Sequence, residues 1–109
     1  LVYQAIESLL AVGREFDAVF AVTDAFAIGA MRALLKNGFA VPDDVAVFGF
    51  DDMPLAAHVT PALTTVRQDI RQAAEGLVTS IVGLIEGKPV QSTLMAPRLI
   101  VRDSCGAHT

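Results

Sequence analysis

The sequence predicts an α/β fold built on a parallel sheet, because short apolar runs alternate with stretches of helical periodicity. The runs AVFAV at 18–22 and VAVF at 45–48 are continuous and rich in Val and Phe, as in strands covered on both faces. A helical pattern precedes the first run and another separates the two, which gives the order αβαβ. Polar residues after the strands then gather at one edge, where open α/β sheets bind ligands.

The first two helices are bounded by recognisable start and stop signals. Apolar residues at helical spacing predict a helix over 1–12, and Gly13 follows where it would end. Asp24 is a good N-cap for the second helix, which stops at Gly38. This second helix is apolar or small on nearly every side, so we expect the sheet to cover one face and a partner subunit, or a missing part of the same chain, to cover the other.

The second half of the chain predicts one more strand and one long helix. Residues 53–57 suit a helical turn with Pro54 near its start, and Thr60-Pro61 leads into a third strand over 62–66. An amphipathic helix is predicted over 69–86. Two extended segments follow at 94–96 and 98–102, and the tail 103–109 has no pattern and is expected to be loose.

Composition excludes several classes of function. The 109 residues are 53% hydrophobic with a net charge of −4, so they suit one domain with a real core and offer no basic patch for nucleic acid. The single cysteine, Cys105, provides neither a disulfide framework nor a metal cluster, and it favours a reducing compartment. No apolar run reaches the ~20 residues of a membrane span. The chain lacks a starting Met and begins within a helical pattern, so we expect it to be part of a longer protein.

No catalytic set and no cofactor motif is visible. The sequence contains neither GxGxxG nor GxxxxGK[ST], and its two histidines are far apart. His58 follows two alanines beside a proline-bounded loop, where a surface or interface role is favoured over a catalytic one. An enzyme is therefore not expected, and no metal or cofactor is predicted.

Polar residues after the three strands form the candidate ligand site. Thr23 and Asp24 follow the first strand, Asp51 and Asp52 the second, and 67–69 the third. Carboxylates, an amide and a hydroxyl suit a neutral polyhydroxylated ligand such as a sugar or nucleoside. Helix N-capping explains Asp24 and Asp69 without a ligand. Capping of the next segment is also an alternative for the two acids at 51–52, but no helix start is obvious before Pro54, which favours a ligand role for Asp51.

The stretches VPDDVAVFGFDD at 41–52 and TPALTTVRQD at 60–69 closely resemble the lactose/galactose-repressor family of bacterial transcription regulators. The resemblance runs from about Leu1 to Arg102 and covers the last third of such a protein. It implies an incomplete periplasmic-binding-protein-like (type I) α/β fold, whose two subdomains clamp a small effector. In this family 1–67 would be part of the C-terminal subdomain, 68–90 a helix of the N-terminal subdomain, and 91–102 the closing extended segments. DNA would be bound only through an absent N-terminal headpiece.

The resemblance also implies roles for individual residues. Asp51 stands at the effector-contacting aspartate and Gln68 near the hinge and pocket, while Thr23 replaces the asparagine of many members and departs from the pattern. A homodimer would use the second helix and the loop after FDD; the residues expected at this interface are Phe26, Ile28, Met31, His58 and Val59. The expected protein is cytoplasmic. A periplasmic sugar-binding protein of a transport system is the alternative, and the effector is not named by the sequence.

Overall fold

The computed structural model describes residues 1–107 and contains the predicted alternation of helices and strands. Residues 108 and 109, at the end of the predicted tail 103–109, lie outside the described residues. In chain order the elements are α1 (Val2–Ala11), β1 (Ala18–Phe20), α2 (Asp24–Lys36), β2 (Ala46–Phe48), a 3₁₀ turn (Pro54–Ala57), β3 (Thr65–Arg67), α3 (Ile70–Ile85) and β4 (Arg98–Ile100).

The strands of the first half are parallel, as predicted. β1 pairs with β2 in a register that sets Val19 opposite Val47. Beyond β2 the parallel pairing passes to the third strand: the N–H of Gly49 donates to the carbonyl of Thr64 at 2.9 Å, and the N–H of Asp51 to that of Val66 at 2.8 Å. β3 also pairs with β4. The carboxyl ends of β1, β2 and β3 therefore share one edge.

The core lies between α2 and the sheet. Small residues on one face of α2 let the helix approach the strands closely, and Leu34 fills the space between them together with Val45, Val47 and Leu63. Ile6 of α1 joins the same cluster, and α1 packs along α2. The sheet therefore covers one side of α2 as predicted, but on another side the cover is α1 of the same chain, rather than a partner subunit or a missing part of the chain.

The third strand begins later than predicted. The pattern predicted a strand over 62–66, whereas β3 spans Thr65–Arg67. The carbonyl of Ala62 accepts hydrogen bonds from the N–H groups of Asp103 and Ser104, both at 3.0 Å. The start of the predicted strand is therefore paired with the C-terminal segment rather than with the sheet.

The C-terminal segment is fixed through Ser104, so the expectation of a loose tail is wrong for its described part. The Ser104 hydroxyl donates to the carbonyl of Val47 at 2.6 Å and accepts the N–H of Thr64 at 2.9 Å. The carbonyl of Ser104 also accepts the N–H of Val47 at 2.9 Å. Ser104 is fully buried and fills the gap between β2 and β3, and each group left unpaired there would cost about 1–3 kcal/mol.

The chain forms two compact units. The first comprises Leu1–Arg67 and the chain from Leu99 onward, and the second comprises Gln68–Arg98. In the second unit α3 is capped by Asp69, whose Oδ1 accepts the N–H of Gln72 at 2.9 Å. No residue of α3 is buried, and Leu77 and Ile81 on its apolar face are exposed. The assignment of 68–90 to an N-terminal subdomain remains a prediction. No helix within residues 1–107 is long and apolar enough to cross a membrane.

Candidate functional site

Asp24, at the start of α2, connects the elements that meet at the shared carboxyl edge of the sheet. Its buried carboxylate accepts a hydrogen bond from the N–H of Met53 at 2.7 Å and one from the hydroxyl of Thr65 at 2.5 Å. The two oxygens thus connect the start of α2 to the loop after β2 and to β3. The prediction that Asp24 is the N-cap is wrong, because Asp24 is the first helical residue and its side chain points to the sheet.

Thr23 caps α2 instead. Its backbone is extended, and its Oγ1 accepts the N–H of Phe26 at 3.2 Å. A hydroxyl that accepts one hydrogen bond can still donate another. Thr23 is half-buried at the edge, so its predicted contact with an effector is geometrically compatible with its role as a cap.

Gly49 allows Asp24 to approach β2. A Cβ at position 49 would overlap Oδ1 of Asp24 and would lie 2.9 Å from Cδ2 of Leu63 and 3.2 Å from Cα of Asp24. Two of these neighbours belong to the core and the helix backbone, so they cannot move aside cheaply. A side chain at this position is therefore incompatible with the observed packing.

Asp51 presents an unpaired carboxylate at this edge. Its N–H is held by the carbonyl of Val66, while its exposed side chain makes no hydrogen bond or ion pair with any residue that the structure describes. Its φ of 103° lies in the left-handed region, which is uncommon outside glycine and costs about 1–3 kcal/mol. Strain of this kind is concentrated at functional sites, so the conformation supports the predicted ligand role.

Asp52 has the opposite character, because its carboxylate is paired on both oxygens. Oδ2 accepts hydrogen bonds from Nε and Nη2 of Arg67 at 2.7 Å each, and Oδ1 lies 2.8 Å from Nη2 of Arg102. The side chain of Asp52 is only 8% exposed. Asp52 also has a positive φ, 52°. We call Asp52, Arg67 and Arg102 the Asp52 clamp.

The clamp lowers the pKa of Asp52. Burial acts to raise the pKa of this carboxyl, but the hydrogen bonds and positive charges of Arg67 and Arg102 outweigh it. Because the folded-state pKa lies below the unfolded value of about 4, the ionised carboxylate stabilises the fold above that pH. This stabilisation is lost as the pH falls through the folded-state pKa.

Acid titration is expected to reveal this contribution. The Tm difference between the unmodified protein and Asp52→Asn should be largest near pH 7 and should shrink below about pH 4, as Asp52 becomes protonated. Thermal unfolding between pH 3 and pH 7 measures it. Asp43→Asn is the matched control, because Asp43 is exposed in the turn before β2. A difference that is constant across this range would contradict an ionised, clamped Asp52.

Gln68 is exposed and begins the second unit. There it lines a small cavity with Asp69, Ala73 and residues 93–97. Its predicted effector contact remains a prediction.

The predicted interface residues separate into surface and core. Phe26 is 39% exposed on α2, and Ile28 and Val59 are half-buried along a shallow apolar groove that also includes Leu35. His58 is exposed next to Val59.

Met31 lies deeper than the other predicted interface residues, and its role at an interface remains a prediction. Only 3% of it is exposed, because its side chain is packed in the core, so it forms the floor of the groove and has little surface left for a partner.

The most important residues that the sequence did not reveal are Arg102 and Thr65. Arg102 also donates from Nη1 to the carbonyl of Leu63 at 2.9 Å. A lone arginine after an apolar extended run was the available signal for Arg102, whereas Thr65 carried none. In residues 1–107 no three His, Cys, Asp or Glu side chains lie together as metal ligands would.

Comparison with known proteins identifies the fold. The family described as the periplasmic binding protein-like domain matches residues 2–105. The chain belongs to this family. The predicted periplasmic-binding-protein-like fold class is therefore confirmed. Asp51 lies at the edge where open α/β sheets in general bind ligands.

Within the periplasmic binding protein-like family, the relatives are transcription regulators. The chain is 36% identical to the HTH-type transcriptional regulator MalR of Clostridium butyricum over 107 residues, which cover 94% of this chain and 31% of the relative. It is 37% identical to the HTH-type transcriptional regulator GalR of Escherichia coli (strain K12), with 93% and 30% covered. The chain thus spans about a third of the length of these relatives.

Solved structures agree. The lac repressor dimer bound to operator and the anti-inducer ONPF matches with a TM-score of 0.91 and 30% identity, and the match covers 95% of this chain and 37% of that one. A sugar-binding transcriptional regulator (LacI family) from Escherichia coli complexed with phosphate matches at 0.86 and 35%, with 94% and 37% covered. The predicted resemblance to the lactose/galactose-repressor regulators is confirmed.

Proposed function

We propose that this chain is the effector-binding and dimerisation part of a bacterial transcription regulator that senses a neutral, sugar-like or nucleoside-like ligand. The observation that carries the proposal is the unpaired carboxylate of Asp51, held in a strained conformation at the carboxyl edge of the sheet. Carboxylates bind vicinal hydroxyls well, because each oxygen accepts more than one hydrogen bond. Thr23 and Gln68 are the further proposed contacts.

DNA binding is assigned to a part of the regulator outside this chain. A net charge of −4 disfavours contact with phosphates, and the relatives are roughly three times as long. A regulator that acts on operator DNA works in the cytoplasm of the bacterium. The names of the relatives support this interpretation over a periplasmic transport protein, and they support a binding protein rather than an enzyme.

Replacing Asp51 tests the effector site. In the full-length protein, Asp51→Asn is expected to weaken the ligand response about 10- to 100-fold, which corresponds to the loss of one or two hydrogen bonds to a charged group. The measurement is release of operator DNA by D-galactose, D-glucose, maltose or adenosine, titrated one at a time. Operator affinity without ligand should be unchanged.

The control for this titration is Asp43→Asn, which removes an exposed acid of the same charge. It should respond like the unmodified protein. The proposed ligand site is wrong if Asp51→Asn releases operator DNA at the same ligand concentrations as the unmodified protein. It is also wrong if none of the four compounds makes the unmodified protein release operator DNA.

Dimerisation is proposed through the groove beside α2, with Phe26, Ile28, Val59 and His58 at the interface. Phe26→Glu is expected to raise the dimer dissociation constant about 100-fold or more, because a charge would be buried without a partner in both copies. Sedimentation equilibrium measures the change. Val12→Glu, an exposed apolar residue after α1, is the control and should remain dimeric. An unaltered dimer in Phe26→Glu would place the interface elsewhere.

A further inference from the structure

The Asp52 clamp joins three segments that are distant in the sequence. Asp52 lies in the loop after β2, Arg67 is the last residue of β3, and Arg102 follows β4. Arg67 is also the last residue before the chain leaves the first unit, and Arg102 comes soon after the chain returns at Leu99. One carboxylate therefore binds an arginine at each of the two places where the chain leaves or re-enters the first unit.

The same loop is fixed residue by residue along its backbone. The N–H groups of Asp51, Asp52 and Met53 donate to Val66, Thr65 and Asp24 at 2.8, 3.3 and 2.7 Å. Two adjacent residues have positive φ, a combination that persists only when the surroundings impose it. The loop is thus held in one conformation, and the carboxylate of Asp51 is its only polar side chain without a partner among the described residues.

The two arms of the clamp differ in strength. The side chain of Arg102 is 17% exposed and is anchored by Leu63, whereas that of Arg67 is 47% exposed and is more strongly screened by water. The ion pair with Arg102 is therefore the stronger hold on the Asp52 carboxylate. The ion pair with Arg67 is the one that a conformational change at the end of β3 can break.

We propose that Asp52 is the positioning residue of the effector site: through its ion pairs with Arg67 and Arg102 it holds the strained backbone conformation of Asp51. This conformation therefore depends on the two chain segments that carry the arginines. Asp52 does not touch the ligand itself. This inference rests on the proposed function, because it gives Asp52 its role through Asp51.

A purely structural ion pair is the competing explanation. It predicts that loss of Asp52 lowers stability and does nothing more. Ser104→Ala provides the comparison, since it removes a buried link between β2 and β3 in the same unit without touching the 51–53 loop. A destabilised variant with an intact loop can then be compared with one in which the clamp is broken.

The experiment uses five variants of the full-length protein. Amide hydrogen exchange, expressed as protection factors for 51–53, is measured without ligand in Asp52→Asn, in Arg102→Gln, in the double variant of these two, in Asp51→Asn and in Ser104→Ala. The dissociation constant for the most effective of D-galactose, D-glucose, maltose and adenosine is measured in parallel. Tm values show how far each variant is destabilised.

The proposal expects a specific pattern. Asp52→Asn and Arg102→Gln should each lower protection of 51–53 and weaken ligand binding about tenfold, and the double variant should be no worse than the single ones, since both break one network. Ser104→Ala should lower the Tm but leave protection of 51–53 and affinity unchanged. Asp51→Asn should weaken binding without loss of protection.

Each contrary result has its own meaning. Unchanged protection of 51–53 in Asp52→Asn overturns the positioning role, whether or not a ligand is bound. So does unchanged affinity in Asp52→Asn when Asp51→Asn binds weakly. If Asp51→Asn retains full affinity for the ligand, or if none of the four compounds binds, the proposed function fails instead. The protection factors of 51–53 then remain the test of whether Asp52 positions this loop.

Discussion

Gly49→Ala is expected to lower the free energy of unfolding by about 3 kcal/mol, at the upper end of the usual cost of overpacking. The added Cβ would overlap the carboxylate of Asp24 and press on the side chain of Leu63. Both neighbours are buried, so relief requires movement of α2 or of the core. The midpoint of urea unfolding measures the change, and it should fall without a change in the slope of the transition.

Gly76→Ala is the matched control, because it makes the same chemical change in open space within α3. There the methyl group meets no neighbour, and the helix should gain about 0.5–1 kcal/mol from the lower flexibility of the unfolded chain. Opposite signs for the two substitutions would establish that close packing, not glycine flexibility, makes Gly49 necessary. A Gly49→Ala protein of unchanged stability would mean that Asp24 is not held against β2.

Asp24→Ala is expected to cost about 2–6 kcal/mol, because two buried donors are left without an acceptor at about 1–3 kcal/mol each. The N–H of Met53 and the hydroxyl of Thr65 would both lose their acceptor inside the protein. The free energy of unfolding from urea titration is the measurement. Because the same carboxylate fixes the loop after β2, the loss should also increase proteolysis near Met53.

Asp24→Asn separates hydrogen bonding from volume. Its amide can accept from one donor but presents its own N–H to the other, so an intermediate loss is expected. Asp43→Ala, in the exposed turn before β2, should change stability by less than about 0.5 kcal/mol. An Asp24→Ala protein within 1 kcal/mol of the unmodified one would exclude a structural role for this carboxylate.

The order of elements was predictable because it depends on local patterns. β1 and β2 lie within the apolar runs that precede Thr23 and Gly49, and Gly13 and Gly38 follow their helices with φ values of 74° and 86°. The presence of an acid at Asp51 beyond a buried strand was equally readable. Each of these signals lies within a few residues of the feature that it predicts.

The contacts that organise the site were not predictable, because they join distant residues. The hydroxyl of Thr65 reaches Asp24 across 41 positions, and Ser104 reaches Val47 across 57. When Thr-Asp precedes a helix, either residue can be the N-cap and the other a buried acceptor. The prediction assigned the cap to Asp24, whereas Thr23 is the N-cap in the structure. The burial of Met31 was not predictable either, because helical periodicity does not reveal how deeply each apolar residue of α2 is packed.

The position of Ser104 has a consequence for synthesis on the ribosome. The gap between β2 and β3 is closed by a residue made 40 positions after Thr64, so the nascent chain cannot complete this part of the sheet when its strands first emerge. At about 5–20 residues per second, those strands wait a few seconds with unpaired backbone groups. The late arrival of a single serine thus defines an interval in which a chaperone can act on the growing chain.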